Sequence, residues 1–299
     1  MIEVKGLTKC FQGHTALNQV TFKVPSGSIV GLLGPNGAGK TSLIRILNQI
    51  YLPDEGEVYI DGRNLKKEDA FLMGYLPEER GLYRKMKVKE QLLYLGRLKG
   101  LQQKEALQRI AFWLKRLKIE QWENTYVESL SKGMQQKIQF IATVLHQPRL
   151  IVLDEPFSGF DPINAEMIKK EILRLHQEGA TIILSTHRME SVEELCQYVV
   201  LLHQSNKVLE GEVSHIKEQF KENQYLLESK TPIRWEGIPV KVLKEVDIVT
   251  GKQYTLSLEE VSTSELLLNV ASQVEITRFE ERIPSMQEIF MKATLFNEE

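Results

Sequence analysis

Cysteine is scarce in this chain, and neither sign of charge dominates it. Among 299 residues there are two cysteines, Cys10 and Cys196. They share no metal-ligand spacing, which excludes a zinc framework and a disulfide scaffold; both read as core or surface thiols in a reducing compartment. Lysine and arginine number 38 against 40 aspartates and glutamates, a formal net charge of −2. No nucleic-acid partner is therefore expected. Long apolar runs are missing too. YVVLL (Tyr198 to Leu202) is strand-sized, far below the roughly 18 residues of a membrane-crossing helix. Met1 leads into IEVKGLTKCF without an apolar core, so no secretory signal is expected. Membrane association is then expected to run through a partner. What remains is 42% hydrophobic and 26% charged, an ordinary globular composition with length for one large or two modest domains.

What is present is concentrated first in GPNGAGKTS (Gly34 to Ser42). Gly34, Gly39, Lys40 and Thr41 occupy the defining positions of G-x-x-x-x-G-K-[ST]. The preceding SIVGLLG is β-branched and apolar, as a buried parallel strand should be, and the following TSLIRILNQI has helical apolar spacing at Leu43, Ile44, Leu47 and Ile50. Strand, loop and helix in that order are the context the motif requires. Its physics is anion binding. The stretch Pro35, Asn36, Gly37, Ala38, Gly39 can curl so that backbone N–H groups face phosphate oxygens, and the helix start adds partial positive charge. Lys40 is expected to bridge the β- and γ-phosphates, Thr41 to ligate Mg²⁺, and Ser42 to line the same loop. A glycine-rich turn before a core helix is the plain alternative. A nucleoside triphosphate with Mg²⁺ is the expected ligand.

Along the chain, IEVKGLT, QVTFKV and SIVGLLG read as antiparallel strands feeding that loop, with EVYIDG (Glu57 to Gly62) following the first helix. From Val88 to about Lys118 apolar residues recur at three-to-four spacing, which predicts helix. LIVLD (Leu150 to Asp154) and TIILST (Thr181 to Thr186) flank a helix predicted from about Ile163 to Gln177. That alternation implies a parallel sheet. After about Glu218 a polar hinge leads to a small α+β unit. Its candidate strands are YLLES, IPVKVLKE, KQYTLSL and VEITRFE, with capping boxes at Ser262-x-x-Glu265 and Ser285-x-x-Glu288. No phosphate, metal or catalytic motif falls in that tail, whose modest reading is packing or regulation.

LIVLDEP (Leu150 to Pro156) supplies a second half to the nucleotide site. Ligands in open α/β sheets sit at the carboxyl ends of strands, where Asp154 and Glu155 fall. Asp154 fits a carboxylate that organises Mg²⁺, and Glu155 a base that polarises the attacking water. In isolation, two adjacent carboxylates after a strand are often merely solvated.

At this point a resemblance becomes specific. LSKGMQQK (Leu130 to Lys137) resembles the signature sequence of ABC-type ATPases, SGFDP (Ser158 to Pro162) their D-loop, STH (Ser185 to His187) their switch histidine, and GYLPEERGLY (Gly74 to Tyr83) their Q-loop. P-loop, Q-loop, signature, acidic pair, D-loop and switch histidine occur in the family's order over about residues 1–215. The resemblance implies a P-loop ABC-type α/β core with an antiparallel β subdomain and a helical insert at about 84–145. With the tail, the expected domains are 1–218 and 219–299.

It also implies site roles. Ser131, Lys132, Gly133 and Met134 would contact the γ-phosphate held by a second ATPase subunit. Ser131 is also a natural N-cap, and Gly133 permits close backbone approach. Ser158 and Asp161 belong to the D-loop, His187 would contact the γ-phosphate and the water, and Phe11 would stack on adenine. Glu78 would stand in the Mg²⁺ shell beside Thr41 and Asp154. Three departures are visible. Lys132 and Met134 replace glycine and glutamine, Phe160 replaces leucine, and Glu78 replaces glutamine, adding negative charge near the phosphates.

The function implied is that of the ATP-hydrolysing subunit of a transporter. It would sit at the cytoplasmic face of the cell membrane through a separate membrane-spanning subunit, touched by Pro77 to Met86 and the helical insert. FEERIPSMQEIF resembles the C-terminal extension of a bacterial subgroup that leans to export. The alternative is a soluble ABC-type ATPase acting on DNA or ribosomes. Against it, only 90 residues separate Lys40 from Leu130, with no sustained heptads, and the chain has one P-loop. A GTPase is disfavoured because Asn206-Lys207 continues into Val-Leu instead of the aspartate that reads guanine.

Overall fold

Alternating burial shapes the start of the chain: Val20, Phe22 and Val24 are buried while Thr21 and Lys23 are exposed. Such period-two strands cover a core with one face only. The computed structural model describes residues 2–79, 81–258 and 261–295, so Arg80 of the GYLPEERGLY stretch lies outside the described residues. In chain order, β1 (Ile2–Phe11) and β2 (His14–Val24) form a hairpin. The buried β3 (Ile29–Leu33) leads into α1 (Lys40–Leu47). Next come β4 (Glu55–Ile60), β5 (Arg63–Asn64) and β6 (Met73–Leu76). Then follow the helices α2 (Val88–Leu98), α3 (Gln103–Arg116) and α4 (Lys132–Val144). The chain re-enters the sheet as β7 (Leu150–Asp154), then makes α5 (Pro162–Gln177), β8 (Thr181–Ser185), α6 (Met189–Leu195), β9 (Tyr198–His203) and β10 (Asn206–Glu212).

Two sheets result in this first unit. One is antiparallel, in the order β2-β1-β4-β5; the other runs β10-β9-β3-β8-β7-β6. In the second, β9, β3, β8, β7 and β6 are parallel, and β10 is an antiparallel edge. SIVGLLG thus lies in the parallel sheet, as its apolar run implies, while the antiparallel sheet keeps its two predecessors without it. The reason is in its residues, for all five positions of β3 are buried, as a strand covered on both faces must be. Leu43, Ile44, Ile46 and Leu47 of α1 share one buried cluster with Val20 and Phe22 of the antiparallel sheet and Val30 and Val152 of the parallel one. Burying each such side chain is worth about 1.5–3 kcal/mol over leaving it exposed, and this cluster fixes the helix start against both sheets.

The helix predicted from Val88 to about Lys118 is two helices. Gly100, at φ +89°, turns the chain between α2 and α3, a left-handed conformation that glycine takes without steric cost.

One compact unit runs to Val213 and takes in the chain again from Ala293, and a second comprises Ser214–Lys292. The Glu218 boundary read from sequence falls inside α7 (Val213–Gln219). The second unit holds β11 (Gln224–Ser229), β12 (Lys241–Ile248), β13 (Gly251–Ser257), α8 (Thr263–Ala271) and β14 (Ile276–Glu281), and the described residues end in α9 (Met286–Leu295). The four strands form an antiparallel sheet in the order β12-β13-β11-β14, its core made by Leu227, Tyr254, Leu256, Leu266 and Val270. Both helix starts lie where the capping boxes predict. Ser262 Oγ accepts from the Glu265 N–H at 3.2 Å, and Ser285 with Glu288 closes a reciprocal box at 3.2 and 2.9 Å.

Candidate functional site

The glycine loop is held open by its backbone. Gly34, Gly37 and Gly39 have φ of +148°, +81° and +105°. A Cβ on Gly34 would lie 2.3 Å from the Leu202 carbonyl oxygen, and one on Gly39 2.3 Å from that of Ala16. The loop therefore threads between β9 and β2 with no room for a side chain at either point. Pro35, Asn36 and Gly37 are exposed and Ala38 is buried. Lys40 opens α1 and folds back over the loop, its Nζ donating to the carbonyls of Gly34 at 2.7 Å and Pro35 at 2.8 Å. Gly39 supplies no side-chain cap to α1, so the first-turn N–H groups have no side-chain acceptor at the cap. Thr41 is exposed and Ser42 half-buried in that turn.

Acidic groups gather opposite. Asp154 ends β7, buried, in register with Ser185 of β8. Burial pushes its carboxyl above the usual range, and the charges of Glu78 and Glu155 push it further, partly offset by the Ser185 hydroxyl and Lys40. Burial likewise lowers the Lys40 ammonium, while Glu155, Asp154 and Glu78 hold it up. One ammonium thus shares a field with three carboxylates. Tyr75 lies in the same field, its phenol pushed up to about 12 by burial first and by Asp154 next. The surplus negative charge fits a cation. No group of three His, Cys, Asp or Glu among the described residues stands close enough to hold a metal. A cation here would take most of its oxygens from nucleotide and water, as Mg²⁺ does in phosphate sites.

Glu155 and His187 form a pair that the separate motifs did not predict. The Glu155 backbone is left-handed, at φ +48°, and its N–H donates to the Ser185 carbonyl at 2.9 Å. Its Oε1 accepts from the His187 backbone N–H at 2.9 Å and from His187 Nδ1 at 2.8 Å. Thr186 Oγ1 donates to Oε2 at 3.3 Å. The bond at Oε1 places the imidazole proton on Nδ1. The glutamate side chain is 13% exposed and the histidine 72%, so a shielded carboxylate is held by an open imidazole.

The signature residues start α4. Ser131 Oγ accepts from the Met134 N–H at 3.3 Å, Ser131 and Lys132 are exposed, and Gly133 and Met134 are half-buried. A Cβ on Gly133 would stand 3.2 Å from the Gly159 carbonyl oxygen, so the signature packs on the D-loop. There Ser158 is exposed. Asp161 caps α5 by accepting from the Asn164 N–H at 2.8 Å and Nδ2 at 2.6 Å, bonds that hold its carboxyl below the usual range. Glu78 is exposed past β6, and a cavity of about 510 Å³ takes Glu78, Arg84, Gln135 and Ser158 into one lining. A larger cavity, about 590 Å³, lies at the amino ends of the strands by Gly27, Arg149 and Thr181, away from these residues. Phe11 ends β1, 37% exposed, its ring edge-on to Tyr51 at 5.3 Å and its face 5.3 Å from the Lys9 ammonium. It is not a core phenylalanine.

A phosphate-binding loop at a helix start, an acidic pair at the carboxyl end of β7 in the same sheet and a helical insert whose last helix begins at a serine cap define an ATP-binding cassette. Residues 17–158 match the ABC transporter family, and residues 211–294 match the C-terminal domain of DrrA1-3-like ATP-binding proteins. The uncharacterised ABC transporter ATP-binding protein YhaQ of Bacillus subtilis (strain 168) is 39% identical across 98% of each chain. The bacitracin transport ATP-binding protein BcrA of Enterococcus faecalis is 31% identical over 72% of this chain and 70% of its own. A solved ATP-binding subunit of an ABC transporter superposes with a TM-score of 0.69 and is 31% identical, covering 74% of this chain and 93% of that one. The chain belongs to the ABC transporter ATP-binding proteins, an ATP-hydrolysing family.

Three features of the site escaped the sequence. Tyr75 lies inside GYLPEERGLY, which reads as a loop although GYL is also a short apolar strand. Ser185 reads only as the first residue of STH. Gln139 carries no motif at all.

Proposed function

We propose that this chain hydrolyses ATP to drive transport, in the export direction, through a separate membrane-spanning subunit, and that two such ATPase subunits close on each other. The observation that carries the ATPase assignment is the convergence of Lys40, Asp154, Glu155 and Glu78 in one field beside the glycine loop. Gly34 to Ser42 bind the phosphates, Lys40 bridges the β- and γ-phosphates, and Phe11 offers an exposed ring to adenine. Glu155 takes the proton of the attacking water. His187 steadies that carboxylate through Nδ1. Ser131, Lys132, Gly133 and Met134 meet the second subunit's nucleotide, with Ser158 and Asp161 beside them. Mg²⁺ would be held by Thr41 and Asp154, with Glu78 in its shell, and would draw charge off the phosphates when bound. No described helix is long and apolar enough to cross a membrane, which agrees with placement at the cytoplasmic face through a partner. The match of residues 211–294 to the DrrA1-3-like C-terminal domain agrees with the subgroup resemblance from which the export direction is drawn. Recovery of the native protein with membranes, in complex with a spanning subunit, tests this reading. Recovery on ribosomes or DNA would favour a soluble ABC-type ATPase instead.

We assign the ATPase to residues 1–218, with the insert at about 84–145, and a packing or regulatory role to 219–299. Truncation after Glu218 is expected to leave ATP binding intact, because every residue given a nucleotide role lies upstream. Loss of binding in a truncated chain that keeps its circular dichroism would overturn that division.

Glu78 carries a sharper expectation. If its carboxylate stands in the Mg²⁺ shell, it attracts the metal but repels the γ-phosphate. Glu78→Gln keeps an oxygen and removes the repulsion, so at least wild-type ATPase activity is expected. Glu78→Ala is expected to need more Mg²⁺, in hydrolysis and in Mg²⁺-dependent binding of a fluorescent ATP analogue. Superimposable Mg²⁺ curves for wild type and Glu78→Ala would remove Glu78 from the shell.

A further inference from the structure

We propose that Gln139 is a positioning residue that fastens the segment bearing Glu78 to the signature helix, and so sets how much Mg²⁺ the nucleotide site requires. The proposal rests on the reading of Glu78 as part of the metal shell. It starts from the edge of a sheet. β6 pairs with β7 along one side only, and an extended strand points alternate carbonyls to its unpaired side, where they must find donors. The chain supplies them mostly from helix α4, with Lys99 Nζ adding a bond to the Met73 carbonyl at 2.9 Å. Thr143 Oγ1 donates to the Tyr75 carbonyl at 3.2 Å. Gln139 Nε2 donates to the carbonyls of Pro77 at 3.1 Å and Glu79 at 3.3 Å. Just past the helix, His146 Nε2 meets the Met73 carbonyl at 3.2 Å. Acceptors 73, 75, 77 and 79 are every second residue. Donors 146, 143 and 139 are three or four apart, one face of a helix.

The contact is close by construction. A Cβ on Gly74 would fall 2.5 Å from the Thr143 carbonyl oxygen and 2.8 Å from the Pro148 ring, so only glycine lets α4 lie this near β6. Beyond Leu76 the sheet ends, and among the described residues Gln139 carries the ladder onto the segment around Glu78. Its geometry also fixes its orientation. Turning the carboxamide over would aim Oε1 at two carbonyl oxygens. In the orientation kept, Oε1 is buried without a partner, a cost that a leucine of similar volume would not incur. Two bonds to the Glu78 segment are held in exchange for one orphaned acceptor. Because α4 begins at Ser131, the segment that reaches the bound cation and the residues proposed to reach the partner's phosphate share one rigid support.

The test uses the full-length chain and two readouts. In Gln139→Leu, hydrogen exchange at the amides around residues 77–82 should rise. The Mg²⁺ concentration that half-saturates binding of a fluorescent ATP analogue should rise about tenfold, the usual scale for losing an outer support of a metal ligand. Thr143→Val, which breaks the ladder inside β6, should leave that Mg²⁺ requirement unchanged. Adding Gln139→Leu to Glu78→Ala should change nothing further, since Gln139 acts through Glu78. If Gln139→Leu does not fold, Gln139→Asn, one methylene too short to span the bonds, carries the same expectations. Unchanged exchange or unchanged Mg²⁺ demand in the Gln139 variant, with Glu78→Ala shifted, overturns the proposal and leaves the Glu78 reading standing. Wild-type Mg²⁺ demand in Glu78→Ala overturns both. An additive double variant shows that Gln139 acts on another group and also overturns it.

Discussion

In Glu155→Gln, steady-state ATP hydrolysis should fall by about a hundred- to ten-thousandfold, the usual contribution of a positioned general base, while ATP binding survives. The geometry makes the substitution selective. The glutamine Oε1 can still accept the backbone N–H of His187, now bonded to the carboxylate at 2.9 Å, and the left-handed backbone at φ +48° is untouched. The amide cannot take a proton from water. Its Nε2 falls where Oε2 accepts from Thr186 at 3.3 Å, and the threonine hydroxyl can reverse its own role to suit. The site should therefore keep its shape and lose its chemistry. Bound ATP would persist, and the variant should accumulate as an ATP-bound dimer, visible as a shift in gel filtration when MgATP is present. Hydrolysis near the wild-type rate would remove Glu155 from the base role.

The Glu155–His187 contact also marks the limit of what was legible in the sequence. Each residue was found separately, because DEP and STH are contiguous and follow strands whose apolar runs announce them. Their bond spans 32 positions, and it exists because β7 and β8 are neighbours in the parallel sheet. Contiguous motifs are legible for a physical reason. A phosphate loop, a helix cap and a strand end are each built by neighbouring residues, so GPNGAGKTS, Ser131 and LIVLDEP announce their local structure. Strand partnership is not local: the apolar run SIVGLLG reads as a buried parallel strand, its place after two antiparallel strands suggests their company, and only the fold decides between the two. The break in the insert was legible in principle, since Gly100 follows Lys99 where a helix can end in a left-handed residue. The ladder from Gln139 to the Pro77 carbonyl, 62 positions away, has no local signature. Tyr75 is similar, for its perturbed phenol depends on Asp154, which the fold brings alongside from a distant strand.

Lys40→Ala is expected to weaken ATP binding itself, by a mechanism distinct from that of Glu155→Gln. The ammonium is held over the glycine loop by the Gly34 and Pro35 carbonyls at 2.7 and 2.8 Å. A hydrogen bond to a charged group contributes about 1.5–3 kcal/mol, so the loss should be about ten- to a hundredfold in Kd. Lys40→Arg should not restore turnover, because the planar guanidinium cannot occupy the position of a compact ammonium threaded over a glycine loop. The loss has a second consequence in the empty site. Lys40 is the cation that partly offsets the burial and like-charge repulsion raising the Asp154 carboxyl. Without it that carboxyl should titrate higher still. A carboxyl whose folded value lies above its unfolded one binds its proton more tightly in the native state. Stability then falls as pH rises from the unfolded value through the folded one. The melting temperature of Lys40→Ala should accordingly decline more steeply than that of wild type as pH climbs out of the ordinary carboxylate range, and added Asp154→Asn should flatten that decline. Unchanged affinity for a fluorescent ATP analogue, together with parallel melting curves against pH, would mean that the loop amides bind the phosphates without help and that Lys40 does not govern the charge of the site.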